Sequence, residues 1–212
     1  DIDDPATANQ LRIFKQVLRQ FEKEGIPYEM AHAANSAAIV GHPASAFNMV
    51  RPGLMTYGVW PTDTPPERMA LRPVGRWESK IVLIKELPSG WSIGYGRTYT
   101  TERPTRTAVI PVGYADGYKV PFGNNADVLI RGRRCPVRGR VSMDQIVVDV
   151  SEGPGVTAGD PAVLIGIDGS EQITVSELAK RARTVGQDIL SCIGPRVRSE
   201  EHTSELQSHH PI

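Results

Sequence analysis

Residues 126–155 read ADVLIRGRRCPVRGRVSMDQIVVDVSEGPG, and this stretch decides the fold. Three short apolar runs, VLI, CPV and IVVDV, are separated by Arg-Gly, Gly-Arg and Gly-Pro-Gly punctuation. Each run is too short for a helix and is rich in β-branched residues, so each is expected to be a strand. The same rhythm continues on both sides. Upstream lie "SKIVLIKEL", "WSIGYGRTYT" and "RTAVIPVG", and downstream lies "DPAVLIGI" followed by "DGS". Regularly spaced short strands with turn residues between them predict an all-β barrel or sandwich. "TVSELAKRAR" interrupts with one short helix, opened by a Thr174-x-x-Glu177 capping box, and "QDILSCI" is expected as a last strand.

Before residue 60 the pattern changes. Leu11, Phe14, Leu18 and Phe21 recur at helical spacing from Pro5 to Glu24, with Gly25 placed for a left-handed C-cap. "IPYEMAH" is expected as a short strand, Asn35 or Ser36 as the cap of a second helix, and "AFNMVR" as another short strand ending near Arg51. Helix, strand, helix and strand imply α/β organisation with parallel strands. The proline-rich residues 61–78 read as a linker. The fold class expected is therefore α/β plus all-β, with residues 1–60 and 79–197 as separate domains. Residues 198–212, "RSEEHTSELQSHHPI", lack any hydrophobic period, resemble a translated sequencing adapter, and are expected to be a non-native, disordered tail.

The 212 residues carry 24 basic and 24 acidic side chains, so bulk charge selects neither nucleic acid nor a membrane surface. No run of about 18 apolar residues occurs, and the acidic start "DIDDPATANQ" is unlike a signal peptide. A cytoplasmic location is expected. Cys135 and Cys192 have no metal-ligand spacing, so two reduced thiols and no metal site are expected.

Two short stretches point to an anionic ligand. Asn35-Ser36 sits at a helix start, where free amides and the dipole favour an anion and a serine hydroxyl can add a donor. Arg51 ends an apolar run, with Gly53 behind it to permit close backbone approach. Taken alone, Ser36 is more simply a plain N-cap serine, and a solvent-reaching arginine accounts for Arg51 as well as a ligand does. A third feature is Tyr95, flanked by Gly94 and Gly96 inside an apparent strand. Interior glycines there imply a bulge or a close approach.

In order and spacing, "AHAANSAAI", "FNMVRPGLMTYG", "YGRTYT", "IPVGYADGY", "GRVSMDQIVVDV" and "IGPRV" resemble the C-terminal part of bacterial alanine racemases. The resemblance covers nearly all of residues 1–197. It implies the last βα units of a TIM-type (β/α)8 barrel followed by a C-terminal β domain, pyridoxal 5′-phosphate as cofactor, alanine as substrate and a head-to-tail homodimer. It implies Ser36, Gly53 and Leu54 at the cofactor phosphate. Arg51 would face the pyridine nitrogen and His32 would hydrogen-bond that arginine. Tyr95 would be one of two catalytic bases, serving the partner's cofactor. Met143, Tyr114 and Asp144 would lie on the substrate side. Arginine only donates hydrogen bonds, so it leaves the ring nitrogen unprotonated and weakens the electron sink, which suits racemisation. A phenol ordinarily titrates near 10, and a base at neutral pH needs a nearby cation. Arg97, two residues along an expected strand, is placed to supply one.

The sequence also departs from the resemblance. The family's cofactor lysine lies in a motif of the type KANAYGHG, and none of the six lysines here stands in one. The chain therefore reads as a fragment cut at both ends that would not racemise alanine alone. Gln187 replaces a tyrosine expected to support Tyr95, and Ser142 stands where cysteine is common. A broad-specificity amino-acid racemase and a non-catalytic β-barrel interaction domain are the alternatives. The second would be favoured if Tyr95, Tyr114 and Met143 were scattered over the β domain.

Overall fold

The computed structural model describes residues 4–61, 69–153 and 155–200. Most of the tail therefore lies outside the described residues, as does part of the linker.

Helix α1 spans Pro5–Lys23. Asp4 caps it, accepting the Ala6 N–H at 2.7 Å, and Pro5 takes the first turn, where its missing N–H costs nothing. Gly25 leaves the helix with φ +67°. Leu11, Phe14, Leu18 and Phe21 form the half-buried stripe, and Phe14 meets Phe47 edge-on at 5.2 Å between ring centroids. Helix α2 spans Ser36–Gly41, with Asn35 as its N-cap accepting the Ala38 N–H at 3.0 Å. Helix α3 is the single turn Gly53–Thr56.

The two strands expected before His32 and Arg51 do not form ladders. What exists is one parallel bridge, Asn35 to Arg51, with Arg51 N–H donating to Ala34 O at 2.9 Å. The Asn48 side chain ties the same segments together, accepting from Ala31 N–H and donating to Glu29 O, both at 2.8 Å. A strand becomes regular only when its neighbours pair with it along its length, and here each segment has a single point of pairing.

The remaining chain builds a fully antiparallel β domain. Its strands are β1 (Trp77–Lys80), β2 (Leu83–Leu87), β3 (Ser92–Ile93), β4 (Tyr99–Thr100), β5 (Thr105–Ile110), β6 (Asp127–Ile130), β7 (Arg133–Arg138), β8 (Ile146–Asp149), β9 (Pro161–Asp168) and β10 (Glu171–Ile173). The main sheet runs β1-β9-β6-β7-β8-β5-β2, with β10 paired to β9. "SKIVLIKEL" is not one strand. Ile81 N–H bonds Asp160 O at 2.9 Å, whereas Val82 N–H bonds Val109 O at 3.0 Å. The chain thus passes at Ile81-Val82 from one edge strand of the sheet to the other. The strand start at Trp77 also falls inside the stretch expected to be linker.

Helix α4 (Val175–Ala182) begins with Thr174 Oγ1 accepting the Glu177 N–H at 3.0 Å. "QDILSCI" is helical, not a strand: α5 spans Gly186–Ser191. Its apolar residues Ile189 and Ile193 are four apart, and Ile189 is buried against the core. A run of so few apolar residues fits either period, and the packing partner decides. The hydrophobic core is drawn from residues 77–189, with Leu54 and Val59 as the contribution from the N-terminal lobe.

Candidate functional site

The N-terminal lobe presents one side of a large cleft. Ser36 is buried at the start of α2, and its hydroxyl oxygen accepts the Met55 N–H of α3 at 3.3 Å. The hydroxyl and the first turn of α3 therefore converge. Gly53 enters that turn, its N–H directed to Arg51 O at 2.9 Å, and a Cβ there would meet open space. Arg51 Nε donates to His32 Nδ1 at 3.1 Å. As acceptor at Nδ1, the neutral imidazole carries its proton on Nε2. Asn35, Ser36, Arg51, Gly53 and Leu54 all line the cleft, and the residues facing them come from α4, α5 and the 193–197 segment. Its volume of about 2200 Å³ exceeds the usual 300–1,000 Å³ of a small-molecule pocket. It is a cleft between two lobes. Gln187, on α5, lines the cleft too, whereas Tyr95 does not.

Tyr95, Tyr114 and Met143 line no part of that cleft; they are 72, 47 and 53 % exposed. Tyr114 and Met143 stand at one end of the β sheet, where β5 leaves and the β7–β8 loop returns to pair Ile110 with Ile146. Tyr114 N–H donates to Ser142 O and Ala115 N–H to Met143 O, each at 3.0 Å, so the two loops abut. The "WSIGYGRTYT" stretch is a hairpin, β3 and β4, with a 3-10 turn at Tyr95–Arg97. A Cβ on Gly94 would lie 3.1 Å from Arg140 N, so this hairpin packs on the same β7–β8 loop. Asn124 fixes it there, donating to Thr98 O at 3.2 Å and accepting from Gly139 N–H at 2.6 Å.

Arg97 does not share a strand face with Tyr95, because Gly96 and Arg97 both have positive φ (+70° and +50°) and alternation does not apply in a turn. The cation at this turn is Arg140, whose guanidinium carbon would lie 3.6 Å from a Cβ on Gly96. Sequence reasoning passed over it; the signal was an arginine between Gly139 and the Ser-Met-Asp segment. Asp144 is engaged by Arg196 at 2.9 Å.

One lobe thus offers a hydroxyl, backbone amides and a guanidinium, donors suited to an anion and to a ring-nitrogen acceptor. The other exposes a phenol backed by backbone clearance. The two groups of residues thus lie on two different surfaces of the chain. Residues 74–201 match the family model "Alanine racemase, C-terminal domain", and residues 1–61 match "Alanine racemase, N-terminal domain". The chain belongs to the alanine racemase family.

The alanine racemase of Halothermothrix orenii is 44 % identical over 198 residues, which is 93 % of this chain and 52 % of that protein. The crystal structure of alanine racemase from D-cycloserine-producing Streptomyces lavendulae superposes with a TM-score of 0.91 at 36 % identity, over 98 % of this chain and 55 % of that one. The Bartonella henselae alanine racemase, solved with covalently bound pyridoxal phosphate, gives 0.82 at 30 % identity, over 93 % of this chain and 52 % of that one. The chain spans about half the length of the relatives it matches.

Proposed function

We propose that these residues form the carboxyl-terminal part of a pyridoxal 5′-phosphate-dependent alanine racemase that interconverts L- and D-alanine, in the cytoplasm and for peptidoglycan. The observation that carries this reading is the division of the site. The donor set around Ser36 and Arg51 opens on one cleft, and Tyr95 stands exposed on another face. In a head-to-tail homodimer, the Tyr95 of one chain is then free to serve the cofactor held by the other. Residues 1–60 are read as the last βα units of a TIM-type barrel, 61–76 as linker and 77–197 as the β domain, since β1 begins at Trp77.

The residues present fit the cofactor. Ser36, with the first turn of α3 at Gly53 and Leu54, suits the phosphate. Arg51, steadied by His32 through Nε, keeps its outer nitrogens for the pyridine nitrogen and can only donate there. Gln187 adds amide donors from the facing wall of the cleft. When bound, pyridoxal 5′-phosphate supplies the electron sink that acidifies the α-proton of alanine. The Tyr95 phenol moves a proton on one face of that carbon. Backbone around Met143, with Tyr114 and Asp144, orients the substrate carboxylate and frames its approach.

The test joins these residues to the amino-terminal half of the Halothermothrix orenii relative and measures racemisation. Tyr95→Phe is expected to lower kcat at least about 100-fold with the bound-cofactor absorbance unchanged. Activity within a few-fold of the parent would remove Tyr95 from the chemistry.

A further inference from the structure

Arg196 lies beyond α5, far in sequence from both loops that carry Tyr114 and Met143, yet it reaches both. Its Nη2 is 2.9 Å from Asp144 Oδ1, and its Nε is 3.6 Å from Asp116 Oδ1. Asp116 is firmly placed: its Oδ2 accepts the Gly113 N–H at 2.9 Å, and its carbonyl accepts the Gly194 N–H at 3.1 Å. Only 13 % of its side chain is exposed, against 54 % for Arg196 and 58 % for Asp144. Asp116 closes the Tyr114–Asp116 turn, and Asp144 directly follows Met143. The two loops also meet through the backbone bonds at Tyr114 and Ala115 and through Gly113, packed so closely that a Cβ there would lie 2.2 Å from Met143 O. The guanidinium adds a side-chain strap to that main-chain junction.

We propose that Arg196 is a positioning residue: by joining Asp116 to Asp144 it fixes the register of the Tyr114 loop against the Met143 loop. An exposed ion pair of this kind adds little to global stability, so its effect is local and falls on the geometry of those two loops. What the loops are used for rests on the racemase reading; the strap itself does not.

Two measurements separate these. In the 212-residue chain, Arg196→Gln is expected to speed amide exchange at Tyr114 and Ala115 about tenfold, leaving β5 and β8 unchanged. Arg196→Lys should recover part of the protection. Adding Asp144→Asn to Arg196→Gln should give no further increase, because the pair is already broken. Unchanged exchange in these loops, or an equal rise throughout the sheet, would overturn the proposal. In the joined racemase, Arg196→Gln is expected to raise KM for alanine about five- to tenfold, with kcat within about twofold and the cofactor absorbance intact. A fall in kcat with KM unchanged would overturn it as well. A joined parent that fails to racemise alanine counts against the functional reading alone, and the exchange result then decides the strap.

Discussion

The glycines beside Tyr95 show what a residue-level reading can and cannot reach. Gly94 has φ +74° with ψ −179°, a region essentially closed to side chains, and a Cβ there would press on Arg140 N. Gly96 has φ +70° but ordinary contacts at 3.6 Å or more. The sequence showed that something special happens at Tyr95. It could not show that this is a hairpin tip instead of a bulge, because two-residue strands leave no period to detect. Gly113 is a sharper case. Its φ of −151° suits any residue, yet a Cβ would fall 2.2 Å from Met143 O. Gly113→Ala is therefore expected to cost about 1–3 kcal/mol through backbone displacement. Gly96→Ala should cost about 1–2 kcal/mol, through conformation alone. Urea unfolding of both variants would separate the two mechanisms, since only Gly113→Ala should also disturb exchange at Tyr114 and Ala115. The thiols divide on similar grounds. Cys135 is buried in β7, and burial pushes its pKa up to about 11, whereas Cys192 is half-buried. A disulfide reagent at pH 8 should modify Cys192 first; equal rates would contradict the packing of β7.

At the scale of elements, α4 was legible because its cap, its amphipathic face and its length agree. The capping box is only half realised. Thr174 receives the Glu177 N–H, but the Glu177 carboxylate accepts from Arg134 Nη1 at 2.8 Å and from Arg181 Nε at 3.2 Å. Arg134 also reaches Glu171 at 2.8 Å, so one guanidinium fastens α4 to β7 and β10. Burial opposes ionisation of Glu177, but the hydrogen bonds from Arg134 and Arg181 prevail and hold its pKa below the ordinary value. A depressed folded-state pKa contributes stability above the unfolded value, near 4.3, and that contribution disappears as pH falls through the folded one. Glu177→Gln should therefore lower the urea midpoint at pH 7, with the gap from the parent closing below about pH 4. A gap that stays constant with pH would mean that Glu177 acts by shape and not by charge. The misreading of α5 has the opposite origin. Its few apolar residues carry no decisive period, and the helix exists because Ile189 finds the core while Thr184 Oγ1 donates to Asp188 Oδ2 at 2.6 Å. Those partners are distant or polar, and a local pattern contains neither.

Across the whole molecule, the two lobes differ in how they are held. The β domain owns nearly the entire core, from Trp77 to Ile189. The chain crosses between the two edge strands of its sheet at Ile81-Val82, and non-local ladders such as β1 with β9 and β2 with β5 tie residues far apart in sequence. This much was readable, since short strands between turn residues admit few architectures. The crossing was not readable, because no local pattern marks where a chain changes partners. The N-terminal lobe has the reverse character. Helix α1 has a clear helical period but contains no fully buried residue. Its stripe is only half covered, with Phe14 on Phe47 as its aromatic anchor. Helices gain most of their stability from burying such a face and not from propensity. Local opening free energy follows buried apolar contact, so the lobes should separate in exchange. Backbone amides of α1 and of residues 26–50 are expected to exchange at least about 100-fold faster than those of β5, β8 and β9. The early loss of the N-terminal lobe in urea should leave the sheet intact. Equal protection of α1 and β8 in the monomeric chain would contradict this, and would require a contact for the Leu11, Phe14, Leu18 and Phe21 stripe that its half-burial does not provide.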